Sequence, residues 1–247
     1  MSKPLDPVDI ALRRRTRRAF LFGGVAALAG YAGLRWLAKT PAGEVIPPAL
    51  RRVLTFDEFI ARATFSPRRL SRSYPISDAR EPRANGHVGL DAPLGAWSLR
   101  VDGQGVAVPL VLSLADIRAL PRVDVTTELR CVEGWSTVVS WTGARFSDFV
   151  ARYADPQAAV SNYVGLATPD GKYYVGLELG SMMHPQTLLC YEMNGAPLTD
   201  AHGAPLRLVT PVKYGIKSLK RIGSIHFSDE RPPDFWAERG YDYYAGF

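Results

Sequence analysis

Two cysteines in 247 residues are too few for a disulfide framework, although a single Cys131–Cys190 bridge stays open to the sequence. The chain has no paired Cys-x-x-Cys and no His-Glu-x-x-His, so the usual zinc ligand spacings are missing. It has no Cys-x-x-Cys-His, which excludes covalent attachment of a c-type haem. No Gly-x-Gly-x-x-Gly follows a strand pattern, so nicotinamide dinucleotide binding is not indicated. Gly215-Ile216-Lys217-Ser218 lacks the upstream glycine of a phosphate-binding P-loop. Ser136 has no nearby base, which leaves a nucleophilic hydrolase without its activating partner. Internal repeats and low-complexity segments are absent as well. Beyond residue 52 there is no excess of positive charge. Residues 1–52 hold ten Lys or Arg against three Asp or Glu, and the remainder holds twenty against twenty-one. The net charge of +6 therefore belongs to the N-terminal stretch, and a nucleic-acid-binding face on the folded part is not expected.

What is present begins with Arg13-Arg14-Arg15-Thr16-Arg17-Arg18-Ala19-Phe20-Leu21. Residues 1–12 before it are polar and read as disordered. The segment Thr16–Leu21 resembles a twin-arginine export signal. Residues 19–34 are apolar or glycine, short of the about 20 residues a spanning helix needs and rich in Gly and Ala as an export segment is. Export signal and membrane anchor both remain open. The expected organisation is an export signal or anchor over 1–38, a proline-bearing linker over 39–52, and one folded domain over 53–247. Within that domain Phe56–Ile60 reads as a short helix with Thr55 as its cap. Residues 64–96 are irregular, the kind of long segment that tends to be functional.

Further on, residues 97–103 alternate and end in Asp-Gly, a strand entering a turn. Ser113 and Asp116 make a capping box that opens a helix. Trp141-Thr142-Gly143 reads as a turn, followed by a helix from Phe146. Strands are expected at 163–168, at 206–209 and at 222–227, with a hairpin at Asp170-Gly171. Short helices mixed with short strands indicate an α+β fold.

The central stretch is Thr126-Thr127-Glu128-Leu129-Arg130-Cys131-Val132-Glu133-Gly134-Trp135-Ser136. Val123, Val125, Thr127, Leu129 and Cys131 share one face of a strand, and the polar Asp124, Thr126, Glu128 and Arg130 share the other. The thiol sits at the strand end on the more apolar face, where Gly134 lets the chain turn. A thiolate beside free backbone N–H groups there suits a soft metal. A buried structural cysteine is the alternative. Cys190, in the apolar run Thr187–Tyr191, reads as a core residue, and His184 as structural. Arg207, Lys213, Lys217, Lys220 and Arg221 gather near Gly215. They are either a solvated basic loop or a site for a phosphate-bearing group.

Arg130-Cys131-Val132-Glu133-Gly134-Trp135-Ser136 resembles the sulfite oxidase family of molybdopterin enzymes. So do the later blocks His184–Leu188, Asn194–Leu198, His202–Leu208, Thr210–Lys220 and Glu230–Pro233, in the same order. The resemblance covers roughly residues 85–247. It implies a sulfite-oxidase-type molybdopterin-binding domain with mixed sheets and short helices. It also implies a molybdenum–molybdopterin cofactor with Cys131 as the metal ligand. By family position it assigns Asn85, Thr168, His202, Arg207 and the Gly215-Ile216-Lys217 backbone to cofactor binding. His202 stands where the nearest family members carry Asn, and Asn85-Gly86 has a plain turn as its alternative reading.

The expected activity is oxygen-atom transfer, namely reduction of a sulfoxide such as methionine sulfoxide or of a related S- or N-oxide. Electrons would come from a membrane b-type cytochrome, because no second cofactor motif is present. The expected location is the periplasm, with membrane association through residues 19–34. Sulfite oxidation is the rival reaction, and a cofactor-free exported binding protein on the same fold is the rival class. Sulfite oxidases of the family typically place an Arg a few residues after the metal cysteine, to hold a dianion. Here Val132, Glu133, Gly134, Trp135 and Ser136 occupy those positions. An Arg folding in from residues 64–96 would supply what they lack.

Overall fold

The first helix, α1 (Pro7–Leu37), runs without interruption through the paired arginines and the apolar stretch, and its side chains from Thr16 onward are almost all exposed. The computed structural model describes residues 7–39, 45–91 and 95–246, with side chains from Thr16 onward. Of residues 1–12, expected to be disordered, 7–12 are helical and 1–6 lie outside the described residues. Thr16–Leu37 is long and apolar enough to cross a membrane by length and composition, and none of it is buried. The reach of this helix beyond 19–34 comes from Trp36 and Leu37, which continue the apolar character past Arg35.

Two compact units divide the chain, the first ending at Val53 and the second spanning Leu54–Phe247. Helix α2 (Pro48–Thr64) is a single helix. That corrects two expectations: residues 48–52 are helix rather than linker, and Thr55 lies inside the helix rather than capping it. Pro48 explains the start, since proline is well suited to a first helical turn, where its missing N–H is not needed.

In chain order the remaining helices are α3 (Leu114–Arg118), α4 (Phe146–Tyr153) and α5 (Leu179–Met182). The strands are β1 (Leu99–Gly103), β2 (Leu110–Leu112), β3 (Arg122–Arg130), β4 (Ser136–Arg145), β5 (Tyr163–Ala167), β6 (Tyr174–Glu178), β7 (Leu188–Met193), β8 (Ala196–Pro197), β9 (Arg207–Val209) and β10 (Ser224–Ser228). One sheet has the order β2-β1-β10-β5-β6, and the other runs β3-β4-β7-β8 with β9 also paired to β7. Among the described residues only β1 and β10 pair in parallel; the other strand pairings are antiparallel. Mixed sheets with short helices make the domain α+β, as expected.

Alternation explains how the sheets pack. On β5, Val164 and Leu166 are buried, and on β10, Ile225 and Phe227 are. They meet Phe146 and Phe149 of α4 in the larger core, with Phe146 6.1 Å from Phe227 between ring centroids. The capping box of Ser113 and Asp116 is present at α3. A smaller core joins Val139 and Trp141 of β4 to Leu188 and Cys190 of β7, with Val123, Val125 and Leu129 of β3 against it. Cys190 is a free, fully buried thiol, which burial pushes up to about 12.

Trp141-Thr142-Gly143 does not turn. It lies within β4, and the pairing with β7 shifts register between Thr142 and Gly143. The glycine is there for close approach: a Cβ on Gly143 would stand 2.2 Å from the Leu189 carbonyl oxygen. A bulge with a glycine reads from sequence much like a turn, since both relieve the same crowding.

Residues 64–91 are largely irregular, as expected, and lie against the β3–β4 hairpin. Tyr74 N donates to Thr126 O at 3.0 Å, and Arg80 N to Val138 O at 2.8 Å. This strap carries Asn85 to the end of β3.

Candidate active site

Cys131 follows β3 directly and opens the five-residue connection to β4. Gly134, at φ +85°, takes the left-handed conformation that closes the turn without steric cost. Cys131 N donates to Trp135 O at 2.9 Å, and Gly134 N to Cys131 O at 3.1 Å. The turn thus consumes N–H groups that were expected to be free, and donors toward the thiol come from elsewhere. Asn85 supplies one: its Nδ2 lies 3.7 Å from Cys131 Sγ and 3.1 Å from Glu133 Oε2. Trp135 Nε1 donates to the same Glu133 oxygen at 2.8 Å. One Glu133 oxygen therefore holds both the Trp135 indole and the amide that approaches the half-buried thiol.

These residues line a cavity of about 180 Å³. Its other walls include Arg83 and Pro82 from the strap, Tyr173, His202, Arg207, the backbone segment Gly215–Ile216, Lys220, and Trp236 with Tyr241. The five clustered cations do not form a solvated loop. Lys213 pairs with Glu178 at 2.8 Å, Lys217 with Asp234 at 2.5 Å and Arg221 with Asp200 at 3.3 Å.

Arg207 and Lys220 differ from those three: among the described residues neither has a carboxylate partner. Arg207 is 3% exposed, donates to the carbonyls of His202 and Ser218, stacks over Trp141 and leaves a buried Nε without any acceptor. Desolvation lowers it to about 10. Lys220 Nζ donates to the carbonyls of Asn85, Gly86 and Ala201, and burial, then the neighbouring Arg207, lowers it to about 8. A buried cation without a counter-charge costs several kcal/mol, so the floor of this cavity is prepared for an anion.

His202 is buried and neutral by preference. Desolvation lowers its pKa most, while Glu81, 3.3 Å from Nε2, acts in the opposite sense. Tyr173 donates its hydroxyl to Ile216 O at 2.6 Å and fixes the backbone of the Gly215–Ile216 wall. Burial, then the nearby Asp234 charge, raises its pKa. The opposite wall is an aromatic loop. Asp234 accepts from Trp236 N and Ala237 N through one oxygen, and from Gly176 N and Lys217 Nζ through the other. Trp236 and Tyr241 then meet edge to face at 5.1 Å.

Of the residues singled out from sequence, Asn85, Cys131, His202, Arg207, Gly215 and Ile216 share this cavity. Thr168 does not. Its hydroxyl donates to Asp170 Oδ1 at 2.6 Å and accepts from Tyr173 N at 3.2 Å, and it borders a separate cavity with Trp97, Arg100 and Arg221. Lys217 directs its ammonium away, to Asp234 and the Gly176 carbonyl. Sequence reasoning did not identify Tyr173, Trp236 and Tyr241 as wall residues. They reach the cavity by long-range packing that leaves no local pattern. Arg83 does come in from the 64–96 segment, at the exposed rim.

The family described as "Oxidoreductase molybdopterin binding domain" matches residues 86–236. The chain belongs to this family. Among curated relatives, the protein named "Protein-methionine-sulfoxide reductase catalytic subunit MsrP" of Ralstonia nicotianae is 31% identical over 94% of this chain and 74% of its own length. The protein of the same name from Xanthomonas campestris pv. campestris is 37% identical over 58% of this chain and 48% of its own. The sulfane dehydrogenase SoxCD of Paracoccus pantotrophus superposes with a TM-score of 0.50 at 18% identity, over 68% of this chain and 47% of that chain. That likeness is one of fold.

The chain is thus a molybdopterin oxidoreductase of the sulfite oxidase type. The cavity suits such a group: a soft thiol at one end, and at the floor the buried Arg207, with an unfilled donor, beside the half-buried Lys220, as a phosphate-bearing pterin requires.

Proposed function

We propose that the chain is an exported enzyme that reduces sulfoxides, methionine sulfoxide among them, with electrons from a membrane b-type cytochrome. The observation that carries the reading is the Asn85–Glu133–Trp135 arrangement around Cys131. Sulfite is a dianion and needs cations at the metal end of the site. The side chain two residues beyond Cys131 is instead a carboxylate, and the one four residues beyond is an indole. A neutral, partly apolar sulfoxide fits between Trp135 and the Trp236–Tyr241 pair, where aromatic faces take up its alkyl groups. The MsrP relatives, named for this activity, support the reading.

Bound molybdenum–molybdopterin would supply the two-electron chemistry that accepts the oxygen atom. The protein's own residues do the rest. The Cys131 thiolate is the metal ligand. Arg207, Lys220 and the Gly215–Ile216 backbone hold the anionic end of the cofactor, with His202 beside them and Asn85 over the thiol. Reduction of a sulfoxide to a sulfide and water takes up two protons. Glu133, whose Oε2 accepts from the same Asn85 amide that approaches Cys131 Sγ, is placed to hold one of them. Trp135, fixed by the same carboxylate, orients the substrate and excludes water. Export follows from Arg17 and Arg18 ahead of the apolar helix, and places the enzyme in the periplasm beside its electron donor.

A pair of steady-state assays on metal-replete protein tests this. One follows reduced viologen oxidation by methionine sulfoxide, the other sulfite-dependent ferricyanide reduction. The expected result is efficient sulfoxide turnover with negligible sulfite oxidation. The reverse would make Arg83 the anion-holding group and overturn the assignment.

A further inference from the structure

Helix α2 carries a face that no described residue covers. Leu50, Val53, Phe56 and Ile60 recur at spacings of three, three and four, which puts them on one side of a helix, and Phe59 lies beside them. They are 54%, 54%, 60%, 44% and 67% exposed in that order of naming. From Leu54 onward, the other side of the helix packs within the second unit. Glu58 is buried and bonds Arg231, Arg62 reaches the Tyr163 hydroxyl at 2.9 Å, and Leu54 and Ala61 are half-buried. The exposed side is therefore not a fraying end but the outward face of a docked helix.

Its surroundings are basic. Residues 48–72 hold six arginines, at 51, 52, 62, 68, 69 and 72, against Asp57 and Glu58. All six arginines are exposed, and Leu70 adds a further exposed apolar side chain at 58%. A polar, low-hydrophobicity helix with large aromatic and aliphatic side chains on one face, ringed by arginine, is built for the interface of an anionic bilayer. The rings enter the headgroup boundary while the guanidinium groups meet lipid phosphates. The sequence around it agrees: α2 begins ten residues after α1, the one helix among the described residues long and apolar enough to cross a membrane.

We propose that the exposed face of α2 lies on the surface of an anionic phospholipid membrane. The occupant is lipid rather than a protein partner because the exposed charges around the stripe are predominantly arginine, six against the one exposed carboxylate, Asp57. An anionic headgroup layer matches that without requiring any particular register. Such a contact would keep the catalytic unit at the membrane, where its electron donor resides, whether or not α1 is retained.

The test uses the full chain in vesicles of phosphatidylcholine with or without phosphatidylglycerol. An environment-sensitive fluorophore is placed through Phe59→Cys on a Cys131→Ser background, since Cys190 is fully buried. A control label goes through Lys172→Cys, a side chain 61% exposed. Nitroxide-bearing lipid is the quencher. The expected result is strong quenching at position 59 that requires phosphatidylglycerol, is lost when Phe56 and Ile60 become Ser or when Arg52, Arg68 and Arg69 become Gln, and is absent at position 172. A label at 59 that stays in water in phosphatidylglycerol vesicles overturns the proposal. So does one that is shielded only after the membrane cytochrome is added, which would assign the face to that protein.

Discussion

The side-chain amide of Asn85 lies 3.7 Å from the Cys131 sulfur, although the two are 46 residues apart in sequence. The strap over the β3–β4 hairpin brings them together, and Glu133 locks the amide in place from the other side. This small constellation sets what the cavity can accept at its thiol end.

Glu133→Gln keeps an oxygen for Asn85 and Trp135 but removes both the charge and the proton-holding capacity. Outer groups that orient metal ligands are typically worth about 10- to 100-fold in activity. We expect kcat for sulfoxide reduction to fall by about that factor, with KM and metal content little changed. Steady-state kinetics beside metal analysis checks the split. An unchanged kcat would remove Glu133 from proton handling.

Arg207→Met replaces a buried cation that has no counter-charge among the described residues by a shorter, unbranched apolar side chain. Such exchanges are often neutral or stabilising, so the thermal midpoint of the cofactor-free protein should hold or rise. Pterin and molybdenum content should fall sharply in the same sample. Full cofactor retention would show that Arg207 does not face the cofactor's anionic end.

Lys220 gives a pH dependence. Burial holds it near 8, below its usual 10.5, so in the cofactor-free protein its charge is present below about pH 8 and lost above. An anion bound there favours the charged form, and binding must take up a proton once the pH exceeds about 8. Affinity of the cofactor-free protein for cofactor should therefore weaken above pH 8, by at most about tenfold per pH unit. Lys220→Met should bind more weakly at pH 7 and show a flat profile over pH 7–9, because Arg207, near 10, keeps its charge there. For folding alone the sign is opposite. The unfolded chain binds more protons than the folded one between about pH 8 and 10.5, so Lys220 makes the cofactor-free fold more stable as pH rises through that window.

Asp234→Asn leaves the Lys217 ammonium buried without its partner. Breaking a buried pair in this way costs about 3–5 kcal/mol. The loop bearing Trp236 and Tyr241 should loosen with it. Denaturant unfolding is expected to show that loss, and KM for sulfoxide should rise. A stability change under about 1 kcal/mol would contradict the role given to the pair.

The α+β class, β1, β3, β5, β9, β10 and the capped helix α3 were legible because alternation, turn residues and caps are local signals. The position of Cys131 at a strand end and its turn were legible for the same reason, helped by Gly134. What could not be read locally is instructive. Gly143 mimics a turn, because a bulge and a turn both call for a residue without a Cβ. The basic cluster at 207–221 looks solvated in sequence, since the partners that bury it, Glu178, Asp200 and Asp234, are distant or look unremarkable. Lys217 and Thr168 follow the family pattern in position, yet their side chains are spent on Asp234 and Asp170 rather than on the cavity. The aromatic wall of Trp236 and Tyr241 depends on the Asp234 anchor, a relation no periodicity encodes.

The claim on which the account turns is that Cys131 supplies a sulfur ligand to molybdenum. X-ray absorption at the molybdenum edge, on the purified full chain and on Cys131→Ala, measures it directly. The account predicts one sulfur fewer in the metal shell of the alanine variant, with the pterin sulfurs retained. An identical sulfur count in the two proteins would contradict it.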